Sequence, residues 1–160
     1  MARKVFFSFH FERDAWRAGQ VRNSGVTKEN SGFIDAAAWE EVKKKGDKAI
    51  KDWIDDQLKG TSVTVVLIGK ETANRKYVKY EIQKSAEKGN GFVGIYIHDL
   101  ENKDKEKDEK GTNPLTMFYY EKDGKKIYLS DIYKSYYWKK DDGYKNFGKW
   151  VEDAAKLAGR

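Results

Sequence analysis

Residues Val63 to Ile68 (VTVVLI) form an uncharged run, rich in β-branched side chains, that Gly69 ends. A strand that reads apolar on both faces is covered on both faces. That is the situation of a parallel sheet between helical layers, since a half-solvated antiparallel strand would alternate. After Gly69, Thr72 or Asn74 can cap a helix, and Val78, Ile82 and Ala86 give that helix a buried stripe at i, i+4 and i+8. Glu81 falls on a different side, with Tyr77 one turn before it and Ser85 one turn after. A carboxylate there lies near the C-terminal end of a central strand, where open α/β sheets gather ligand chemistry. Glu81 is therefore the leading catalytic candidate, although spacing alone fits a solvated helix glutamate as well.

The rest of the chain is consistent with a three-layer α/β, flavodoxin-like fold with a mostly parallel central sheet flanked by helices. Lys4 to Phe9 (KVFFSF) reads as a first strand, followed by a loop and a short helix that Asp14 can cap, carrying Trp16, Gln20 and Val21. Asn23 to Gly32 reads as a loop, residues 32–35 (GFID) as a short second strand, and Ala36 to Lys45 as one or two helical turns. Asp47 to Lys59 is an amphipathic helix with Ile50, Trp53, Ile54 and Leu58 on one side and Gly60 past its end. Phe92 to His98 is a further strand, so strand and helix alternate to this point, as right-handed parallel crossovers require.

Beyond Asp99 the alternation lapses. Glu101 to Asn113 is a nearly balanced run of charges without an apolar anchor, a composition of exposed loops and of disorder. Pro114 to Tyr120 and Lys126 to Leu129 suit an edge strand or hairpin about Asp123-Gly124. Tyr133, Tyr136, Tyr137 and Trp138 form an aromatic cluster better suited to core or edge packing than to base stacking. A final helix over Asn146 to Ala158 would bury Phe147, Trp150, Val151, Ala154 and Ala155. With 160 residues and no linker, the expectation is one domain over 1–160: a core of about 3–100, the charged loop 101–113, and an aromatic-rich part 114–160.

Composition excludes several classes of function. The chain has no cysteine, hence no disulfide, thiolate metal site or cysteine nucleophile. No apolar run approaches the ~20 residues of a membrane span, and MARKVFFSF lacks the layout of a signal peptide, so a cytoplasmic location is expected. The net charge of +6 is spread over interleaved lysines and acids rather than a basic stripe, which disfavours nucleic acid and suits an anionic small molecule. No phosphate loop, dinucleotide fingerprint, HExxH or GxSxG motif occurs, and His10 and His98 cannot make a zinc site without two carboxylates.

What remains is a ring of polar residues beyond the expected strand ends: Ser8, His10, Arg13 and Asp14, then Asp35, then Thr72, Asn74 and Arg75, then His98 and Asp99. In a parallel sheet they share one edge with the start of the helix carrying Glu81, whose free backbone N–H groups favour an anion. Asp14 can equally be a helix cap, and Arg13 and Arg75 ordinary surface cations.

The segments KVFFSFHFERDAWRAGQVRNSG, GFIDAAAWEEVKKKGDKAIKDWIDDQLKGTSVTVVLIG and ETANRKYVKYEIQKSAEKGNGFVGIYIH resemble a TIR-like family, once an uncharacterised flavodoxin-like domain. Its better-understood members are the TIR proteins of Thoeris anti-phage defence. The resemblance covers about residues 3 to 100. Tyr77 and Glu81 match the aromatic-x-x-x-Glu pattern of TIR enzymes, with Tyr where many relatives have Trp. It implies cleavage of the nicotinamide–ribose bond of NAD+, with Glu81 catalytic and Ser8, Phe9, His10, Arg13, Asp35, Thr72 and Tyr77 binding substrate. Phe11 and Trp39 are further candidate walls. It also implies a cyclic ADP-ribose signal that reaches a separate effector protein, activity only after a trigger, and self-association on activation. No metal or cofactor is called for, NAD+ being the substrate. The rival reading is a TIR interaction module without turnover, because fold alone does not confer activity. A phosphoryl receiver fits less well, since no acidic pair stands at the first strand end.

Overall fold

A computed structural model describes residues 3–24 and 36–160. The strand expected over 32–35 lies outside the described residues, as does Asp35. The described elements are β1 (Val5–Ser8), α1 (Phe11–Arg22), α2 (Ala36–Lys44), α3 (Asp47–Leu58), β2 (Val63–Ile68), α4 (Lys76–Lys88), β3 (Gly91–Tyr96), β4 (Tyr119–Lys122), β5 (Lys125–Tyr128), α5 (Leu129–Ile132), β6 (Ser135–Tyr137) and α6 (Gly143–Leu157). β1, β2, β3 and β6 form one four-stranded parallel sheet in that order, so the apolar run β2 lies between two neighbours.

Pleat parity assigns the layers. Phe6, Ser8 and Thr64 share one face, which α3 and α4 cover; Val5, Phe7, Val63 and Val65 share the other, which α1 and α6 cover. Phe6 packs with Trp39, Ile50, Ile54 and Leu58, whereas the Phe7 ring lies 6.4 Å from that of Phe147 on α6. Each such fully buried side chain contributes about 1.5–3 kcal/mol, and all six residues of β2 are buried.

Gly91 shows how tightly α6 lies on this sheet: a Cβ there would stand well inside van der Waals contact of the Ala154 carbonyl. Gly19, inside α1, faces open space. Gly91→Ala is expected to destabilise by about 1–3 kcal/mol through overpacking, while Gly19→Ala gains about 0.5–1 kcal/mol. Urea unfolding midpoints check both, and an unchanged midpoint for Gly91→Ala would rule out this packing account.

Several local expectations shift. Asp14 is not a cap: α1 begins at Phe11 with His10 as its N-cap, and Asp14 is buried against Arg17 at 3.2 Å. Trp16 is exposed. Thr72–Asn74 form a 3₁₀ turn, and α4 starts after Arg75 without a side-chain cap; it ends at Gly89, whose φ of +87° supplies the left-handed stop. Pro114–Thr116 is also a 3₁₀ turn, and the hairpin is β4–β5 about Asp123-Gly124, both at positive φ. Of the aromatic cluster, Trp138 is buried, and Tyr136 on β6 stacks on Trp150 at 4.1 Å.

The charged stretch 101–113 is pinned rather than free. The buried Arg17 guanidinium donates to the carbonyls of Leu100 (2.8 Å) and Glu106 (2.9 Å), and Asp108 accepts from Arg13 at 2.6 Å. A buried cation must find such partners, and this loop supplies them.

Candidate active site

Ser8 closes β1 on the face that α4 crosses, and its hydroxyl donates to Glu81 Oε1 at 2.8 Å. Ser8 is fully buried and Glu81 only 8% exposed. One turn on, Ser85 accepts from Thr64 Oγ1 at 2.6 Å, and Thr64 also receives Asn90 Nδ2 at 3.2 Å. α4 therefore turns two buried sides inward: the apolar stripe of Val78 and Ile82, and a polar row of Glu81 and Ser85 against β1 and β2.

Glu81 is part of a narrow cleft beyond the end of β1. Phe9, His10 and Phe11 line it from the β1–α1 turn, Trp39 and Trp53 from α2 and α3, and Tyr77 from α4, with Glu12 and Arg75 completing the polar lining. The Phe11 ring bridges Phe9 (5.9 Å between centroids) and Trp39 (5.5 Å). Tyr77 is anchored by its hydroxyl, which donates to Asp47 Oδ1 at 2.8 Å and ties α4 to the start of α3. The Lys76 hydrogen bond and then the Tyr77 hydroxyl hold the Asp47 carboxyl well below the usual carboxylate range. The cleft encloses about 40 Å³.

Burial dominates the electrostatics. It pushes the Glu81 carboxyl up to about 8, and the Ser8 hydrogen bond, which favours the carboxylate, offsets only part of this. Near neutral pH Glu81 is thus mostly protonated. Burial, then the Arg75 charge, lowers the His10 pKa, so its imidazole is neutral. Its Nδ1 comes within 3.5 Å of Glu12 Oε2, but with a neutral ring this is no ion pair, and the buried nitrogen has no hydrogen-bond partner among the described residues.

Of the residues expected at a site, the structure brings Glu81, Phe9, His10 and Tyr77 to the cleft, with Ser8 directly behind Glu81. Phe11 and Trp39 are walls of it. Thr72 is not brought there: it is buried in the β2–α4 turn, where Oγ1 accepts the Gly69 N–H at 2.8 Å. Arg13 turns away to Glu71 (2.9 Å) and Asp108 (2.6 Å). His98 packs edge-on against Tyr96 and Tyr137 at the β3–β6 side of the sheet. Sequence reasoning did not place Glu12, Phe6 or Phe7 at the site, read Trp53 and Val78 only as buried helix faces, and left Arg75 outside the substrate-binding set. A signal did exist for Phe6, two residues before Ser8 and thus on its face.

Residues 6–102 match the family described as "Thoeris protein ThsB, TIR-like domain". A Bacillus cereus (strain MSX-D12) protein named "Putative cyclic ADP-D-ribose synthase ThsB1" is 38% identical over 191 aligned positions, covering 94% of this chain and 100% of that protein. The family match includes all of β1 but Val5, all of α4 and every lining residue of the cleft. The chain belongs to the TIR-like domain family of the Thoeris protein ThsB.

Proposed function

We propose that this protein cleaves the nicotinamide–ribose bond of NAD+ and closes the remaining ADP-ribose into a cyclic product. The observation that carries this is Glu81, a buried carboxyl group with a raised pKa in an aromatic-walled cleft at the C-terminal end of β1. The name of the Bacillus cereus relative supports the same reaction.

Nicotinamide is a cationic leaving group. When the C–N bond breaks, its electron pair returns to the ring nitrogen, nicotinamide departs neutral, and positive charge develops on the ribose. A carboxylate beside that ribose stabilises the oxocarbenium-like transition state. Glu81 becomes that carboxylate as substrate arrives, because a nearby cation favours the charged form of an acid. Ser8 fixes its orientation from behind. Phe9, Phe11, Trp39 and Tyr77 exclude water from the anomeric carbon. A nucleophilic group of the same molecule then captures that carbon in place of water, and the ring closes.

The product is small and diffusible, which suits a signal to a separate effector protein. Self-association on activation is a further part of this reading.

The test incubates the triggered protein with NAD+ and follows nicotinamide by chromatography and the nucleotide product by mass spectrometry. The expected product is lighter than linear ADP-ribose by one water. Linear ADP-ribose alone would refute the cyclase half of the proposal, and absence of nicotinamide release would refute both halves.

A further inference from the structure

At the mouth of the cleft one carboxylate engages donors from the elements around it. Glu12, in the first turn of α1, accepts at Oε1 from Trp39 Nε1 and Lys43 Nζ of α2, each at 3.4 Å. Its Oε2 lies 3.8 Å from Arg75 Nη2, immediately before α4. Lys43 also reaches Glu40 at 3.2 Å, whereas Glu12 is the carboxylate that Arg75 faces among the described residues. The buried Nδ1 of His10, without a hydrogen-bond partner among the described residues, lies 3.5 Å from Glu12 Oε2. Glu12 thereby links α1, α2 and α4, and the cleft behind it encloses about 40 Å³. Pockets that hold ligands of nucleotide size run to roughly 300–1,000 Å³. The cleft is thus narrower than a site that holds a dinucleotide, and the cations that would attract one are engaged by an internal anion.

We propose that Arg75 and Lys43 form the binding site for the diphosphate of the dinucleotide, and that Glu12 occupies this site in the resting protein and holds the cleft closed. The proposal rests on the NAD+ reading above. An oxygen of a diphosphate takes the place of a carboxylate oxygen toward a guanidinium, an ammonium and an indole N–H, since all three recognise any oxyanion. Displacing Glu12 removes the polar ties of α1 to α2 and to Arg75 and leaves the Phe11–Trp39 contact as a remaining tie, so admitting the substrate and widening the cleft are coupled. A ligand shifts such an equilibrium by its differential affinity for the open form, and a resting protein with its donors occupied shows reduced apparent affinity.

Glu12→Gln keeps an oxygen for Trp39 and removes the charge that competes for Arg75 and Lys43. Exposed ion pairs are individually weak, so the two that Glu12 makes with Lys43 and Arg75 are together worth on the order of tenfold in an equilibrium. Titration calorimetry with inorganic pyrophosphate at low ionic strength is expected to show Glu12→Gln binding about tenfold tighter than wild type. Adding Arg75→Gln and Lys43→Gln should abolish that gain. Untriggered nicotinamide release should rise about tenfold in Glu12→Gln, and thermal melting would establish that each variant is folded. Equal pyrophosphate binding by wild type and Glu12→Gln overturns the proposal, as does a gain that persists without Arg75 and Lys43. Because pyrophosphate binding needs no turnover, a tenfold gain without any nicotinamide release would sink the NAD+ reading and leave the anion site standing.

Discussion

Glu81→Gln is expected to lose roughly 10²–10³ of the rate of nicotinamide release from NAD+, the usual cost of removing one well-placed electrostatic group. Glutamine keeps the size of the side chain and an acceptor for the Ser8 hydroxyl, so the loss reports the missing negative charge rather than a collapsed site. The same variant separates a catalytic defect from a folding defect. A buried carboxyl whose pKa is raised to about 8 from 4.5 favours folding only while it is protonated. That contribution is fully present below the unfolded value of 4.5 and is lost as pH rises through 8. Glutamine never ionises. Glu81→Gln should therefore melt above wild type near pH 8–9, with the difference fading toward pH 5. A variant that turns over NAD+ as fast as wild type removes Glu81 from catalysis. One that melts below wild type at every pH makes the residue structural.

The depth of Glu81 was not legible in the sequence. Helical periodicity placed it off the Val78–Ile82 stripe and left open a solvated helix residue. α4 lies in a groove between α3 and the sheet, so a second side of it is covered, and that side is polar because Ser8 and Thr64 of the sheet meet it there. Two buried sides of opposite character read in one dimension like one buried and one exposed side. By contrast β2 was legible, since continuous burial leaves a continuous apolar run.

Strand-end reasoning named the correct edge of the sheet and too many residues on it. Parallel strands stand nearly 5 Å apart, so an edge of four strands is wider than one site. Residues after β1 reach the cleft, whereas His98 after β3 belongs to a different neighbourhood. Direction matters as well as position. Arg13 and Glu12 are neighbours in sequence, yet successive positions on a helix diverge by about 100°, so Glu12 faces the cleft while Arg13 faces the 101–113 loop. That loop looked like a solvated run because its anchors, carbonyls that accept from Arg17, are backbone groups to which composition is blind. β6 escaped notice for a related reason: at three residues it is too short for any periodicity.

The raised pKa of Glu81 also fixes the direction in which activity should move with pH. In the free protein near neutrality the carboxyl is mostly protonated, because burial outweighs the Ser8 hydrogen bond. A protonated acid cannot stabilise the positive charge that develops as nicotinamide leaves, so only the ionised fraction is competent. Below its pKa that fraction falls tenfold per pH unit, and kcat/KM, which reports the free enzyme, should follow it. From pH 6 to pH 8 the expected rise is therefore about 50-fold, because the slope bends as pH nears the pKa, and it levels above about 8. kcat should level at lower pH, since bound NAD+ places a pyridinium beside the carboxyl and draws its pKa down. His10 does not account for a rise that continues to pH 8: burial and then Arg75 lower its pKa below the usual histidine value, which moves its titration toward the acid end of this range. Initial rates of nicotinamide release by the triggered protein between pH 5.5 and 9.5, at fixed ionic strength, check both curves. A kcat/KM that is flat from pH 6 to 9 would mean Glu81 is ionised before substrate arrives. A kcat/KM that falls with rising pH would instead make Glu81 a proton donor to the leaving group, and the electrostatic role assigned to it here would be wrong.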